Sequence, residues 1–442
     1  MIRAPRLKTL SGRSRVTLAG LVAALAAVPP VTGVSPWSAS AAPQAETGGV
    51  FEGPVGRAEC GPGSRPETAM QGEVTVADRD SGRSTQGYTC NMEEVGNFGR
   101  SEGFEGAEWM MAAYGDCAYY STKLSGSQQK RGTVVVDVSD RTNPRYVTNL
   151  TTPGMLDSWE SLRVHEGRGL LAADYAGDFN GPGFFDVYDV SGDCTKPELL
   201  SSTPFPGLGH EGNFAPDGRT FYATPGLVPG GVTAIDVADP TSPHIIGTFF
   251  LPDNLHGLGL SPDGRQLYLA HPNRDWFPSG SATNREGITD NGIGIYDISS
   301  IQDRKGTPQL RLLGGVGWRD GQQVQHITPF SQDGKPYVVA VDEGYNGGPR
   351  VIDVSDPAHP AVVSKLKIEI QMPENRELAH QETVGYKNEG GGQFPVAYNS
   401  HYCSIDRPAD PTILACSNFQ SGLRVFDIRD LGDPVEIAYY NP

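Results

Sequence analysis

Short apolar runs that end in aspartate recur along the chain after residue 130. In each copy a turn rich in Asp, Ser and Pro follows, and then a second apolar run, as in RVIDVSDPAHPAVVSKL from Arg350. The β-branched residues favour a strand buried on both faces. The aspartate can close the turn by accepting backbone N–H groups, and proline fixes φ in the loop. Each copy therefore predicts a two-stranded hairpin, and the copies begin at Val134, Phe184, Val232, Ile293, Arg350 and Leu423.

A second unit precedes three of these hairpins. It starts with a histidine, and the glycine of an Asp-Gly turn follows eight positions later. Asp-Gly between apolar runs is the strongest short hairpin signal, so this unit supplies two more strands. Together the two units predict four-stranded antiparallel blades and an all-β propeller. The three copies are HEGNFAPDGRTFYAT, HGLGLSPDGRQLYLA and HITPFSQDGKPYVVA.

The repeated strings also resemble a known family. VVVDVSD, AIDVADP, VIDVSDP and VFDIRD are similar to the LVIVD repeats of bacterial exported proteins. The resemblance covers roughly residues 105–441 and implies a β-propeller. It does not imply one activity, because propellers host many functions.

The number of blades depends on the ends of the repeat region. Six hairpins favour six blades. Seven blades stay possible, because GEVTVADR and NMEEVGNF within residues 72–98 resemble a degenerate hairpin and residues 380–401 hold extra strand-like sequence. Insertions at 272–291 and 387–410 are candidate binding loops, since function often lies in long loops on a rigid scaffold.

The first 41 residues have the pattern of a secretory signal peptide. A basic start is followed by the apolar stretch Val16 to Val28 and by Ala39-Ser40-Ala41, which suits signal peptidase. We therefore predict a signal peptide at 1–41, an N-terminal arm at 42–104 and the propeller at 105–442. The apolar stretch is too short to span a bilayer, and no later stretch is long and apolar enough to do so. The expected location is extracellular.

Charge and cysteine content fit that location. The net charge is −17, and removing the basic start would make it more negative, so nucleic acid is not expected as a partner. Six cysteines without a C-x-x-C motif predict disulfides in an exported protein. We favour the pairs Cys403–Cys416 and Cys60–Cys90, which leaves Cys117–Cys194.

Histidines at one repeat position are the main candidates for chemistry. His210, His256 and His326 share the start of the innermost strand, so ring closure should aim them at the propeller axis. His401 or His380 would be the fourth member. Four imidazoles around an axis suit zinc, copper or iron. Glu211 and Glu382 adjoin two of these histidines as second-shell acceptors or ligands. The nearest equivalents in the first two blades are Glu108, Trp159 and Glu160.

Two classes of function follow. The first is an extracellular binding module whose ligand is unknown, based on the scaffold, the inserted loops and the absence of G-x-S-x-G, H-E-x-x-H and P-loop motifs. The second is a metal-dependent enzyme, such as an oxidoreductase, that uses the axial histidines.

Other polar residues are assigned mainly structural roles. DYAGDFNG, residues 174–181, is oxygen-rich but lacks the spacing of an EF-hand, so calcium there is a minor alternative. His165, His244, His271 and His359 fall at other repeat positions. The aspartate of every repeat is expected to form a turn and not a site, because a site needs only a few carboxylates: Asp137, Asp189, Asp236, Asp297, Asp353 and Asp427.

Overall fold

The computed structural model separates residues 1–32 and 33–442 into two compact units, and every residue described below belongs to the second. The described residues are 44–45, 53–98, 110–121, 132–175, 183–205, 208–224, 229–272, 291–318, 320–344, 347–382, 386–387, 393–394 and 398–442.

The described residues form a six-bladed all-β propeller, as the repeats predict. Each blade is a four-stranded antiparallel sheet whose strands follow one another in chain order, with the first strand innermost. Blade 1 is Met111–Tyr114, Cys117–Tyr120, Thr133–Asp137 and Arg145–Leu150. Blade 2 is Arg163–His165, Leu170–Tyr175, Gly183–Asp189 and Glu198–Phe205. Blade 3 is Glu211–Phe214, Thr220–Thr224, Pro229–Asp236 and His244–Asn254.

Blades 4 to 6 follow the same plan. Blade 4 is Leu258–Leu260, Gln266–His271, Asn291–Asp297 and Arg311–Trp318. Blade 5 is Gln322–Gln332, Lys335–Gly344, Pro349–Asp353 and Ala361–Lys365. Blade 6 is Ser400–Ile405, Ile413–Asn418, Gly422–Asp427 and Val435–Asn441. Two short strands, Tyr386–Lys387 and Gln393–Phe394, pair with each other before blade 6, and Gln44–Ala45 pairs in parallel with the outer strand of blade 4.

The repeat aspartates are turn formers, as expected. In every blade the carboxylate accepts the backbone N–H of the residue two positions later, for example Ser355 N to Asp353 Oδ1 at 2.8 Å. The outer hairpin of every blade also contains a β-bulge, where one extra residue bends the fourth strand and increases its twist. The bulged residues are apolar and equivalent in the repeat: Val147, Leu200, Ile246, Leu313, Val363 and Ile437.

Apolar clusters lie between neighbouring blades. One buried cluster joins blades 1 and 2, and further clusters join each successive pair up to blades 5 and 6. The contact between blades 6 and 1, which closes the ring, differs because the N-terminal arm contributes to it. Ala58, Tyr88 and Cys90 of the arm pack with Tyr439 of blade 6, and Phe98 stacks on Tyr120 of blade 1. The arm therefore lies on both blades that meet where the ring closes.

The arm is tied to blade 6 by main chain and by charge. Its strand Tyr88–Cys90 pairs antiparallel with Val435–Asn441 and extends that blade to five strands. Glu67 forms a buried ion pair with Arg424, whose guanidinium also contacts Glu436 at 3.1 Å. These contacts make the arm an integral part of the sheet it covers.

Residues 72–98 do not form the degenerate hairpin on which the alternative of seven blades depended, so that alternative is wrong. The first half of this segment forms the helix Val76–Ser81 instead. Thr75 accepts a hydrogen bond from Asp78 N at the helix start, and Gly82, with φ 77°, ends the helix in the left-handed conformation. Cap hydrogen bonds thus outweigh the β-branched residues that suggested a strand. The 3₁₀ turn Ser84–Gln86 follows.

Helices are few and short elsewhere in the described part of the chain. The remaining α-helices are Pro153–Leu156, Ser299–Gln302 and Arg376–Gln381. Further 3₁₀ turns occupy Glu166–Arg168, Glu369–Gln371 and Pro373–Asn375. None of the described helices is long and apolar enough to cross a membrane.

All six cysteines are paired, and the three predicted disulfides are confirmed. Cys60–Cys90 lies within the arm, and Cys403–Cys416 joins directly paired residues of the first two strands of blade 6. Cys117–Cys194 joins blade 1 to the outer hairpin turn of blade 2. The covalent links therefore reinforce the arm, one blade and one contact between blades.

Candidate metal centre

Three histidines from different blades meet the buried carboxylate of Glu160, which lies shortly before the innermost strand of blade 2, Arg163–His165. His210 Nε2 lies 2.8 Å from Glu160 Oε2, and His256 Nε2 lies 3.8 Å from the same oxygen. His401 Nε2 lies 3.1 Å from the other oxygen, Oε1. These histidines come from blades 3, 4 and 6, so the cluster exists only once the ring has closed.

A second buried carboxylate, Glu211, lies behind this group. Its Oε2 is 3.6 Å from His256 Nδ1, and its Oε1 is 3.0 Å from His326 Nδ1. Arg163 NH2 also contacts Oε1, at 3.1 Å. His256 therefore faces Glu160 with Nε2 and Glu211 with Nδ1. A carboxylate on the far nitrogen of an imidazole is the usual support of a metal-binding histidine.

Local backbone features bring these side chains together. Glu160 and Glu211 form a parallel backbone bridge between blades 2 and 3. Gly257 N donates to Gln325 O at 2.8 Å, and a Cβ at Gly257 would collide with that oxygen and with Glu211 Oε2. Glycine after His256 thus lets blades 4 and 5 approach closely at the axis.

The backbone before Glu160 is in an uncommon conformation. Trp159 has φ 36°, in the left-handed region that non-glycine residues seldom adopt. Such conformations cost of order 1–3 kcal/mol and cluster at functional sites. The indole of Trp159 lies against His210, with ring centroids 4.3 Å apart. The conformation of Trp159 thus fixes a wall of the cluster and the direction of Glu160.

Glu160, His210 and His256 offer one ligand atom each within 4.8 Å of one another. Ligand atoms about 2.1 Å from a tetrahedral metal lie roughly 3.4 Å apart, so this spacing fits an ion after small adjustments. The hydrogen bonding also leaves room for one. Glu160 Oε2 has no aligned hydrogen-bond donor among the described residues, in spite of its close neighbours. Two histidines and one carboxylate form a donor set known for zinc and non-haem iron.

The charges of the cluster are mutually stabilised. Burial works to raise the pKa of Glu160, yet His210 and His401 hold it well below its ordinary value. Burial likewise opposes ionisation of Glu211, but His256, His326 and Arg163 lower its pKa to about 2. Both carboxylates are therefore ionised at neutral pH and available to a cation.

The same charges raise the pKa values of two histidines of the cluster. Burial favours neutral His256, but Glu211 and Glu160 raise its pKa above the ordinary value. Burial also favours neutral His401, and Glu160 and Glu343 raise its pKa in the same way. Without a metal, these rings thus bind protons more tightly than exposed histidines do. A bound cation would have to displace those protons.

A third carboxylate, Glu343, closes one side of the cluster. Its Oε1 is 3.7 Å from His401 Nε2, and its Oε2 accepts a hydrogen bond from Gln323 Nε2 at 2.7 Å. Burial raises the pKa of Glu343 and outweighs the effect of His401 and His256. Gln323 has φ 55°, a second left-handed backbone beside the cluster.

Most of the predicted site residues lie at this cluster. His210, His256 and His401 meet at Glu160, while His326 contacts Glu211. Glu211 stands behind His256, in the position expected of a second-shell acceptor. The structure therefore brings together five of the seven candidate residues, with Glu160 at their centre.

The remaining candidates lie away from the cluster or outside the described residues. His380 lies on the helix Arg376–Gln381 and on no propeller strand, and its side chain is outside the described residues. Glu382 accepts a hydrogen bond from Tyr398 OH at 2.9 Å. Glu108 and residues 176–181 of the calcium candidate are outside the described chain, as are 273–290, 388–392 and 395–397 of the two insertions.

Three members of the site were not predicted from the sequence. Glu343, Arg163 and Tyr402 have no repeat position in common, so no pattern distinguishes them. Glu343 is at the end of the second strand of blade 5, and Arg163 and Tyr402 are on innermost strands. Their proximity depends on ring closure. The only signal in the sequence is that Tyr402 follows His401 directly.

Comparison with known families agrees with the repeat pattern. The model of the LVIVD repeat matches residues 127–152 and 337–367. The chain carries LVIVD repeats. The first match spans the outer hairpin of blade 1, and the second covers the outer three strands of blade 5. The LVIVD motif thus corresponds to the strand that ends in the repeat aspartate and to the turn that follows.

Solved structures with similar folds are distant in sequence. A putative 6-phosphogluconolactonase from Bacteroides fragilis is 11% identical, with a TM-score of 0.50 over 74% of this LVIVD-repeat chain and 81% of its own. The periplasmic gluconolactonase of Pseudomonas aeruginosa is 15% identical, with a TM-score of 0.49 over 72% and 80% of the two chains. No curated protein sequence matches the chain. These likenesses concern the fold alone.

Proposed function

We propose that this protein is a metal-binding propeller whose axial centre holds one divalent transition-metal ion. Glu160 Oε2, His210 Nε2 and His256 Nε2 are the ligands, and Fe²⁺ and Zn²⁺ are the ions that suit this donor set best. The observation that carries the proposal is the convergence of these three atoms within 4.8 Å in a buried site.

The surrounding residues have supporting roles. Glu211 faces His256 Nδ1 and keeps the proton on that nitrogen, so that the Nε2 lone pair is available to the ion. His401 contacts Glu160 Oε1 and holds the carboxylate with Oε2 turned toward the other two ligands. Such partners orient ligands and raise their basicity.

Three protein ligands also support the second class of function, a metal-dependent enzyme. Catalytic metal sites keep a position open for water or substrate, whereas structural zinc sites are closed by four protein ligands. The donor set of two histidines and one carboxylate is the one that non-haem iron oxidoreductases use. The ion would polarise whatever ligand occupies the open position, and the protein residues would orient it.

We also propose that the protein is exported. Three disulfides without a free cysteine among the six fit an oxidising compartment. The basic and apolar pattern of residues 1–41 provides a signal for that route. The binding module expected from the sequence would then act outside the cytoplasm, with the metal centre as its binding site.

Metal analysis of the purified protein tests the main proposal. The protein, made without a histidine tag and reloaded with Fe²⁺ or Zn²⁺ after chelation, should bind about one equivalent. Glu160→Gln and His256→Gln should each lose at least nine-tenths of that metal. His359→Gln, at an exposed histidine outside the axis, is the matched control and should bind as the parent does. Full metal binding by both axial variants, or none by the parent protein, would overturn the proposal.

A further inference from the structure

Among the described residues, Tyr402 is the one tyrosine, tryptophan or phenylalanine whose ring contacts two histidines of the centre. Its ring lies edge-on to His326 and to His401, with centroids 4.6 Å apart in both cases. A β-bulge at His401 in the first strand of blade 6 allows both neighbours, His401 and Tyr402, to reach the cluster. A similar bulge at Gln325 displaces the strand that carries His326.

The hydroxyl of Tyr402 is buried and has no hydrogen-bond partner among the described residues. Leaving a buried hydroxyl unpaired costs about 1–3 kcal/mol. Burial and the negative charges of Glu160 and Glu211 raise the pKa of Tyr402 well above its ordinary value, so the group stays a neutral O–H donor. A structural tyrosine in a protein core normally has an acceptor, as Tyr119 does in Cys194 O at 2.8 Å.

We infer that Tyr402 donates a hydrogen bond to a compact anion bound at the open position of the axial metal. The inference rests on the proposed metal centre and names what that centre binds. The anion must be small, because Glu160, His210 and His256 are all at most 9% exposed. Hydroxide and similar anions of a few atoms meet this description.

The ligand must offer an atom that both binds the metal ion and accepts the hydrogen bond of Tyr402. A compact anion does both, because a metal cation and an O–H donor each interact more strongly with a charged acceptor than with a neutral one. Arg163, whose NH2 lies 3.1 Å from Glu211 Oε1, adds a second positive charge at the same cluster.

Azide binding to the Co²⁺-loaded protein tests the inference. Visible Co²⁺ bands report the metal and its ligands. The parent protein should bind one Co²⁺ and then azide. Tyr402→Phe should retain Co²⁺ but bind azide roughly 5- to 20-fold more weakly, the effect of one lost hydrogen bond. Tyr268→Phe removes a buried hydroxyl in blade 4 that contacts Gln266, and should bind azide as the parent does.

The remaining outcomes separate the two proposals. If the parent protein takes up no Co²⁺, the metal centre itself is wrong and the inference fails with it. If Co²⁺ binds but azide does not, or azide binds equally to Tyr402→Phe, the metal centre stands and the inference is overturned. Loss of Co²⁺ from Tyr402→Phe would assign Tyr402 to packing and also overturn it. The metal-free variant should be at least as stable to heat as the parent, because the deleted hydroxyl has no hydrogen-bond partner in the described part of the chain.

Discussion

Glu160 and Glu211 are joined by a parallel backbone bridge, so that two carboxylates of neighbouring blades stand side by side at the propeller axis. Each has its own partners, and His256 lies between them with one nitrogen toward each. Two adjacent ionised carboxylates repel one another, and the histidines and Arg163 offset that repulsion. A cation bound at Glu160 would also offset this repulsion, so the site favours ligands that carry positive charge.

Metal occupancy should depend on pH. The pKa values of His256 and His401 are raised in the metal-free protein, and Glu160, Glu211 and Glu343 are the groups that face them. Protons therefore compete with the ion from a pH above the ordinary histidine value of about 6.5. Equilibrium dialysis with Zn²⁺ between pH 8 and pH 5 should show occupancy falling throughout that range. Occupancy that stays constant down to pH 5 would contradict the assignment of these histidines.

Gly257→Ala should disrupt the centre. The added Cβ collides with Gln325 O and Glu211 Oε2, so blades 4 and 5 must separate at the axis. We expect metal affinity to fall at least tenfold, measured by competition with a chelator. Gly192→Ala is the control, since its Cβ would meet nothing within 4 Å. Equal metal affinity in the two variants would show that the close approach is not needed.

Asp174→Asn should stabilise the protein more at pH 8 than at pH 5. Burial raises the pKa of Asp174 to about 8, and neither of its carboxylate oxygens has a hydrogen-bond partner among the described residues. The stability that the neutral carboxyl contributes is complete below its unfolded value of about 3.8 and is lost as the pH rises through 8. Asparagine keeps the shape without this loss.

The expected gain in unfolding free energy is about 1–3 kcal/mol larger at pH 8 than at pH 5, measured by urea denaturation. Asp140→Asn, at an exposed turn carboxylate, should show no such gain. Urea denaturation repeated with added calcium tests the alternative role of residues 174–181 as a calcium site. If calcium stabilises the parent protein and not the variant, Asp174 is a calcium ligand.

The two propeller disulfides should differ in their contribution to stability. Cys117 and Cys194 are 77 positions apart, whereas Cys403 and Cys416 are 13 apart. In the chain-entropy model, losing the first costs about 4.5 kcal/mol and losing the second about 3 kcal/mol. Denaturation of the Cys117→Ala/Cys194→Ala and Cys403→Ala/Cys416→Ala double variants measures both. A larger loss for the shorter loop would indicate that local strain or packing dominates.

The fold could be predicted because its signals are local. Asp353 and its equivalents act within their own turns, and Gly218, Gly264 and Gly334 adopt the positive φ that the Asp-Gly turns require. Each signal also recurs, so a repeat whose own pattern is ambiguous can be assigned by comparison with the other repeats. The arm lacks both properties. Residues 72–75 lead into a helix because Thr75 caps it and because the arm contacts distant blades. The β-branched residues of this segment indicate neither the cap nor those contacts.

The candidate site was predictable only as far as it follows the repeat. His210, His256 and His326 share a repeat position, yet His326 contacts Glu211 and not Glu160. The difference arises from the bulge at Gln325, which changes the direction of the strand. Glu343 and Tyr402 have no equivalents in other blades. Sites at the axis combine single residues from many blades, so their chemistry escapes a search for repeats.

The arm has a consequence for the order of folding. Glu67 and Arg424 are separated by 357 positions, so the arm leaves the ribosome long before its partner strand Val435–Asn441 exists. Contacts at such separation form slowly, because a long loop must be closed first. Until then the outer edge of blade 6 lacks its fifth strand and can pair with other chains. Docking of the arm would therefore be a late step of folding, and the interval before it is when the chain is most prone to aggregate.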